Sequence, residues 1–173
     1  MAEINEAAVW SRVGGAPRPP EMPGGPPPAP ERPQGAPLPH PGSPIAPELL
    51  EELGELRETA AAVSALAERL PGDAKRQLRS VYQALQRQLR ELSGLYRLLT
   101  GRRPSLSAPP LRGRQGSPAQ VLSWVLRRME RSAGRLEALG QRATGETRAT
   151  LLGASNQLRM LFHELLDLLG RKL

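Results

Sequence analysis

Residues 47–100 read PELLEELGELRETAAAVSALAERLPGDAKRQLRSVYQALQRQLRELSGLYRLLT, and the spacing of apolar positions within them decides the fold. Leu49, Leu53, Leu56, Ala60, Val63, Ala67 and Leu70 follow one another in alternating steps of four and three. After Pro71-Gly72 the same steps connect Leu78, Tyr82, Leu85, Leu89, Leu92, Tyr96 and Leu99. That period keeps side chains on one face of a helix, whereas a strand alternates every second residue. Proline at the break removes a backbone donor and ends the first helix. The short link makes the two helices an antiparallel pair.

Working outward, the hairpin is written a second time, offset by 73 positions. Leu53, Ala60, Ala65, Leu66, Arg69, Leu78, Leu85, Glu91, Leu92 and Leu95 fall on Leu126, Ala133, Ala138, Leu139, Arg142, Leu151, Leu158, Glu164, Leu165 and Leu168. The turn recurs too, as Gly72-Asp73 and Gly145-Glu146. Two copies of a helical hairpin predict an all-α four-helix bundle spanning 47–173, with helices near 47–70, 73–100, 119–142 and 147–170. The third helix turns Leu122, Leu126, Met129, Ala133 and Leu136 inward, and the fourth Leu151, Ser155, Leu158, Phe162, Leu165 and Leu169. The 101–118 loop between the hairpins is long enough to cross the bundle.

Residues 1–46 have a different character. Fourteen of the 19 prolines lie at or before Pro47, in runs such as Pro26-Pro27-Pro28. With few apolar side chains to bury, this stretch reads as a disordered, partly polyproline II tail. Ahead of it, the segment from Ile4 to Val13 is an apolar island carrying Trp10, a candidate docking anchor because rigid aromatic surface binds well. Acids among the first residues and the missing apolar core of a signal peptide argue against secretion. The chain has no cysteine, and no apolar run reaches the roughly 18 residues of a membrane span. Cytoplasmic residence is the expectation.

Catalytic patterns are sparse. A carboxylate-bridged di-metal bundle needs Glu-x-x-His on two helices, and the two histidines, His40 and His163, have no Glu three residues before them. Neither a G-x-S-x-G elbow nor a phosphate-binding glycine loop occurs. Glu55 and Glu58 sit one turn apart, but with Glu48, Glu51 and Glu52 nearby they read as a solvated acidic face.

Two helix ends carry a family resemblance. Leu66-Ala67-Glu68-Arg69-Leu70-Pro71 and Tyr96-Arg97-Leu98-Leu99-Thr100-Gly101-Arg102-Arg103-Pro104 resemble the helix ends of rubrerythrin-like members of the ferritin-like superfamily, including small proteins of spore-forming bacteria. The resemblance covers roughly 47–170 and implies a di-metal site. Carried onto this chain, the second-helix Glu-x-x-His falls on Leu85 and Gln88, and its repeat on Leu158 and Leu161. The remaining carboxylate falls on Glu55 or Glu58, whose repeat partners are Arg128 and Arg131. The resemblance therefore implies a degenerate member, without cofactor or oxidase chemistry, that is cytoplasmic or spore-associated.

The net charge is +7, and the tail to Ala46 contributes four acids against three arginines. The excess lies in the bundle. No acid occurs between Glu91 and Glu130, while Arg97, Arg102, Arg103, Arg112, Arg114, Arg127 and Arg128 do. Arg102, Arg103, Arg112 and Arg114 make the 101–118 loop a candidate site for a polyanion or acidic partner. Missing aromatic interleaving weighs against nucleic acid. The expectation is a non-catalytic scaffold with a protein partner or self-association. Its rivals are a metal binder using unrecognised or intersubunit ligands, and a basic module for nucleic acid.

Overall fold

The computed structural model describes residues 43–107 and 116–170. Residues 1–42 of the proline-rich tail, Trp10 among them, and Arg112 and Arg114 lie outside the described residues, while Ile45 and Ala46 at the end of the expected tail are buried. Four helices form, α1 (Ala46–Ala67), α2 (Gly72–Thr100), α3 (Pro118–Arg142) and α4 (Gly145–Gly170), and no strand occurs among the described residues. No described helix is long and apolar enough to cross a membrane.

Local chemistry fixes the helix ends. Pro47 lies in the first turn of α1, where its missing N–H costs nothing. The helix stops at Ala67, three residues before the expected end at Leu70, because Pro71 disfavours a helical conformation at the residue before it. The last turn tightens instead, with the Arg69 N–H donating to Leu66 O at 3.0 Å. Gly101 closes α2 in the left-handed region, φ 70°, and donates its N–H to Arg97 O at 2.8 Å. Ser117 and Gln120 form a reciprocal capping box at the start of α3.

The written repeat is also a structural one. Gly72 and Gly145 open α2 and α4 with φ of 61° and 56°, a backbone setting that favours glycine. Leu49, Leu53, Leu56, Ala60, Val63 and Leu66 of α1 are buried, as are their counterparts Leu122, Leu126, Met129, Ala133, Leu136 and Leu139 of α3. Leu78, Val81, Leu85, Leu92 and Leu95 of α2 correspond likewise to Leu151, Ala154, Leu158, Leu165 and Leu168 of α4. All of them join one core.

Polar contacts between helices give their directions. Glu48 pairs with Arg142, Glu52 with Arg135, and Glu55 with Arg128, so α1 and α3 run antiparallel. Gln77 reaches Glu164 O at 2.7 Å and Gln88 reaches Ala154 O at 2.6 Å, so α2 and α4 are antiparallel as well. The α2–α4 seam is the sparsest of the four helix contacts. These directions put the end of α2 beside the start of α1 and the start of α3 beside the end of α1. The two ends of the connection therefore lie at opposite ends of α1. Its described parts touch that helix, where Arg57 donates to Leu106 O at 2.9 Å and Arg69 to Gly116 O at 2.6 Å.

Candidate functional site

The positions to which the resemblance assigns metal ligands fall near the middle of the helices. Leu85 and Leu158 are fully buried in the core, and Leu161 is nearly so. Gln88 is buried at the α2–α4 seam, where its amide nitrogen donates to Ala154 O while its carbonyl oxygen has no partner. Apolar side chains thus occupy three of the four positions on α2 and α4.

On the facing pair, α1 supplies Glu55 and Glu58 and α3 supplies Arg128. The guanidinium pairs with Glu55 at 2.5 Å and with Glu58, and it stacks over Trp124 with 4.9 Å to the ring centroid. A planar fork fits two carboxylates better than an ammonium would, and an aromatic face favours the same cation. Burial is partial, with the Arg128 and Glu58 side chains 18% and 13% exposed, so screening by solvent is reduced. Arg131, the other basic repeat partner, is exposed. This donor set does not fit a di-metal centre. A fixed cation already pairs with both carboxylates, and leucines stand where further ligands would be needed. Among the described residues no group of three His, Cys, Asp or Glu side chains is placed to hold a metal ion.

The expected solvated acidic face holds only at Glu48 and Glu51: Glu55 and Glu58 are half-buried against Arg128, and Glu52 departs furthest. Glu52 is not solvated: it is 1% exposed, and neither carboxylate oxygen has a hydrogen-bond partner. Its one ion pair is to Arg135, at 3.6 Å. Burial pushes its pKa above the ordinary carboxylate value, and the Glu55 charge adds to the rise. Ser132 and Arg135 on α3 oppose the shift without completing a hydrogen bond to either oxygen. The cause is position, since α1 is packed against both α2 and α3 and so buries a wider arc than a single stripe. The repeat held a signal for this, because Glu52 corresponds to the buried Val125.

Of the basic residues proposed in the loop, Arg102 and Arg103 are described, exposed and free of ion pairs among the described residues. Thr100 Oγ1 contacts both the carbonyl and the N–H of Arg102, which fixes the backbone as it leaves α2. Sequence reasoning counted Arg97 with this basic stretch but missed that Arg87 and Arg90 extend it further back along α2. All three are exposed there without an ion pair among the described residues. His163 is exposed and meets Phe162 edge-to-face, with ring centroids 5.4 Å apart.

Two grooves lie between helices of the same hairpin. One is lined by Arg57, Ala61, Ser64, Ala65, Tyr82 and Gln86, among others, and the other by Glu130, Ala133, Gly134, Arg159, Phe162 and His163. They are repeat equivalents, since Arg57, Ala61 and Gln86 correspond to Glu130, Gly134 and Arg159. No protein-family profile, curated protein or solved structure matches the chain.

Proposed function

We propose that this chain is a non-catalytic helical scaffold, a ferritin-like bundle whose di-metal site has been replaced by packing and an internal ion pair. The observation that carries the reading is the pairing of buried Leu85 and Leu158 with an Arg128 guanidinium held between Glu55 and Glu58. A cation of fixed charge in that place lowers the gain from binding a metal and leaves too few ligands to complete one. Further support comes from two antiparallel hairpins whose single connection has its described ends at opposite ends of α1, the placement that a ferritin-like crossover requires. On this reading the bundle's surface serves for binding, either to a protein partner or to a second copy.

The direct test is chemical. Purified chain should carry no stoichiometric transition metal and should not consume dioxygen faster than buffer when ferrous iron is added. About one or two tightly held metal ions per chain would favour the rival reading, a metal binder with intersubunit ligands.

A second reading has one observation in its favour. Arg87, Arg90, Arg97, Arg102 and Arg103 form an exposed cationic run along α2 and the segment after it, interrupted by Glu91. Such a run attracts phosphate-bearing polymers through counterion release. The aromatic side chains that stack bases are missing from it, which ranks a nucleic-acid module below the scaffold.

A further inference from the structure

Leu98 breaks the pattern of α2. It is 69% exposed, whereas every other leucine of that helix is buried or partly so. The side chains around it are cationic. Arg87, Arg90 and Arg97 follow one another with Gly94 in steps of three and four, which puts them on one outward face, and Leu98 lies one turn beyond Gly94 on that face. From Arg87 to Arg97 the face runs about 15 Å along the helix. Arg102 and Arg103 extend it beyond the helix, where Gly101 turns left-handed and Thr100 holds the Arg102 backbone. None of these five arginines has an ion pair among the described residues.

The face is open and keeps a positive excess. A Cβ added at Gly94, in its middle, would meet nothing within 4 Å. Glu91 is the one acid from Arg87 to Arg103. The exposed acids without an ion pair at this end of the bundle, Glu51 and Glu146, stand on other helices, where α1 and α4 begin. Two kinds of polyanion suit such a charge, and Leu98 separates them. A nucleic-acid backbone would use the arginines alone, leaving the leucine against phosphate or water, and the face has no aromatic ring to stack a base. An anionic bilayer uses both, because arginines at the headgroups bring an aliphatic side chain to the boundary with the acyl chains. Their own methylene stems lie in the same layer while the guanidinium groups stay with the phosphates.

We propose that the outward face of α2, continued by Arg102 and Arg103, rests on an anionic lipid bilayer with Leu98 inserted at the interface. The inference rests on the second reading above, whose cationic face it shares. A duplex DNA arm separates their failures, since the loss of binding to both polyanions ends both, whereas binding to DNA without binding to lipid ends only this one.

The chain has no cysteine, so a single introduced thiol carries a polarity-sensitive fluorophore without competition. Gly94→Cys places it on the proposed face. Gly134→Cys places it at an exposed position of α3, a helix that packs on α1 and α4 but not on α2. The labelled full chains are titrated with vesicles of phosphatidylcholine alone, with vesicles containing about one-third phosphatidylglycerol, and with duplex DNA at equal phosphate concentration. Anionic vesicles should bind saturably and brighten the Gly94→Cys label but not the Gly134→Cys label, and neutral vesicles should do neither. Vesicle affinity should fall about three- to tenfold in Leu98→Ser, and at least about tenfold when Arg87, Arg90 and Arg97 are all changed to Glu. These positions are exposed, so the variants keep the fold. Leu98→Ser should leave any DNA affinity within about twofold. The proposal is overturned by absence of binding at about 1 mM anionic lipid, by equal binding of neutral vesicles, or by equal brightening of the two labels. It is equally overturned by unchanged vesicle affinity in either variant, or by DNA binding more tightly than anionic vesicles.

Discussion

A carboxylate with 1% exposure and no hydrogen-bond partner resists ionisation, and Glu52 is in that position between α1 and α3. Its pKa in the folded chain is raised above the unfolded value of 4.5, chiefly by burial. The folded state therefore binds the Glu52 proton more tightly than the unfolded state. As pH falls through the folded pKa toward 4.5 the chain gains stability from this group, and as pH rises through the folded pKa it loses that contribution. Replacing Glu52 with Met, similar in length and apolar like the Val125 of the other repeat, should raise stability at neutral pH by about 1–3 kcal/mol. Arg135 loses a partner but is half exposed, which limits the cost. Denaturant unfolding of both proteins at pH 7 and pH 4.5 checks this, and the advantage of Glu52→Met should shrink at the lower pH. An equal advantage at both, or a destabilised Met variant, would show that the carboxylate is better accommodated than its geometry implies.

Among the helices, glycine separates two roles that look alike in the sequence. Gly72 has φ 61° at the start of α2, whereas Gly94 lies inside the same helix with open space where a Cβ would go. Gly72→Ala should cost about 1 kcal/mol from the left-handed setting, and Gly94→Ala should gain about 0.5–1 kcal/mol by helix propensity. Thermal unfolding of the two single variants should thus move in opposite directions, and a shared sign would contradict the described turn. The repeated Gly72-Asp73 and Gly145-Glu146 made this turn legible before any coordinates. The steps of four and three also gave the helices and one strip of the core. They could not give the second strip. Val81, Ala84 and Leu95 on α2 and Ala154 and Leu168 on α4 are buried because each helix touches two neighbours, and a single apolar stripe describes contact with only one. Of the α1 glutamates that meet α3 arginines only Glu55 meets its own repeat partner, because which charges meet depends on the relative direction of helices far apart in sequence. Glu55 and Glu58 were read as acids with basic repeat partners. Their common partner, Arg128, became visible only with the direction of α3 fixed.

For the whole molecule, the excess positive charge falls unevenly, with an ion-pair-free cationic run on α2 and the start of the connecting segment. Reversing Arg87, Arg90, Arg97, Arg102 and Arg103 to Glu should leave folding nearly unchanged, because exposed charges contribute little to stability. Any heparin or nucleic-acid affinity should fall with it, and its salt dependence should flatten. Retained affinity in the folded variant would remove this face from consideration. The central claim, a degenerate bundle with apolar packing in place of metal ligands, is tested most directly at Leu85. The measurement is thermal unfolding of wild type, Leu85→Ala and Leu85→Glu, each with and without ferrous iron. The account predicts a loss of about 2–5 kcal/mol for Ala, a larger loss for Glu from a buried charge without partners, and no recovery of either on adding iron. A Leu85→Glu protein as stable as wild type, or one restored by iron, would contradict it.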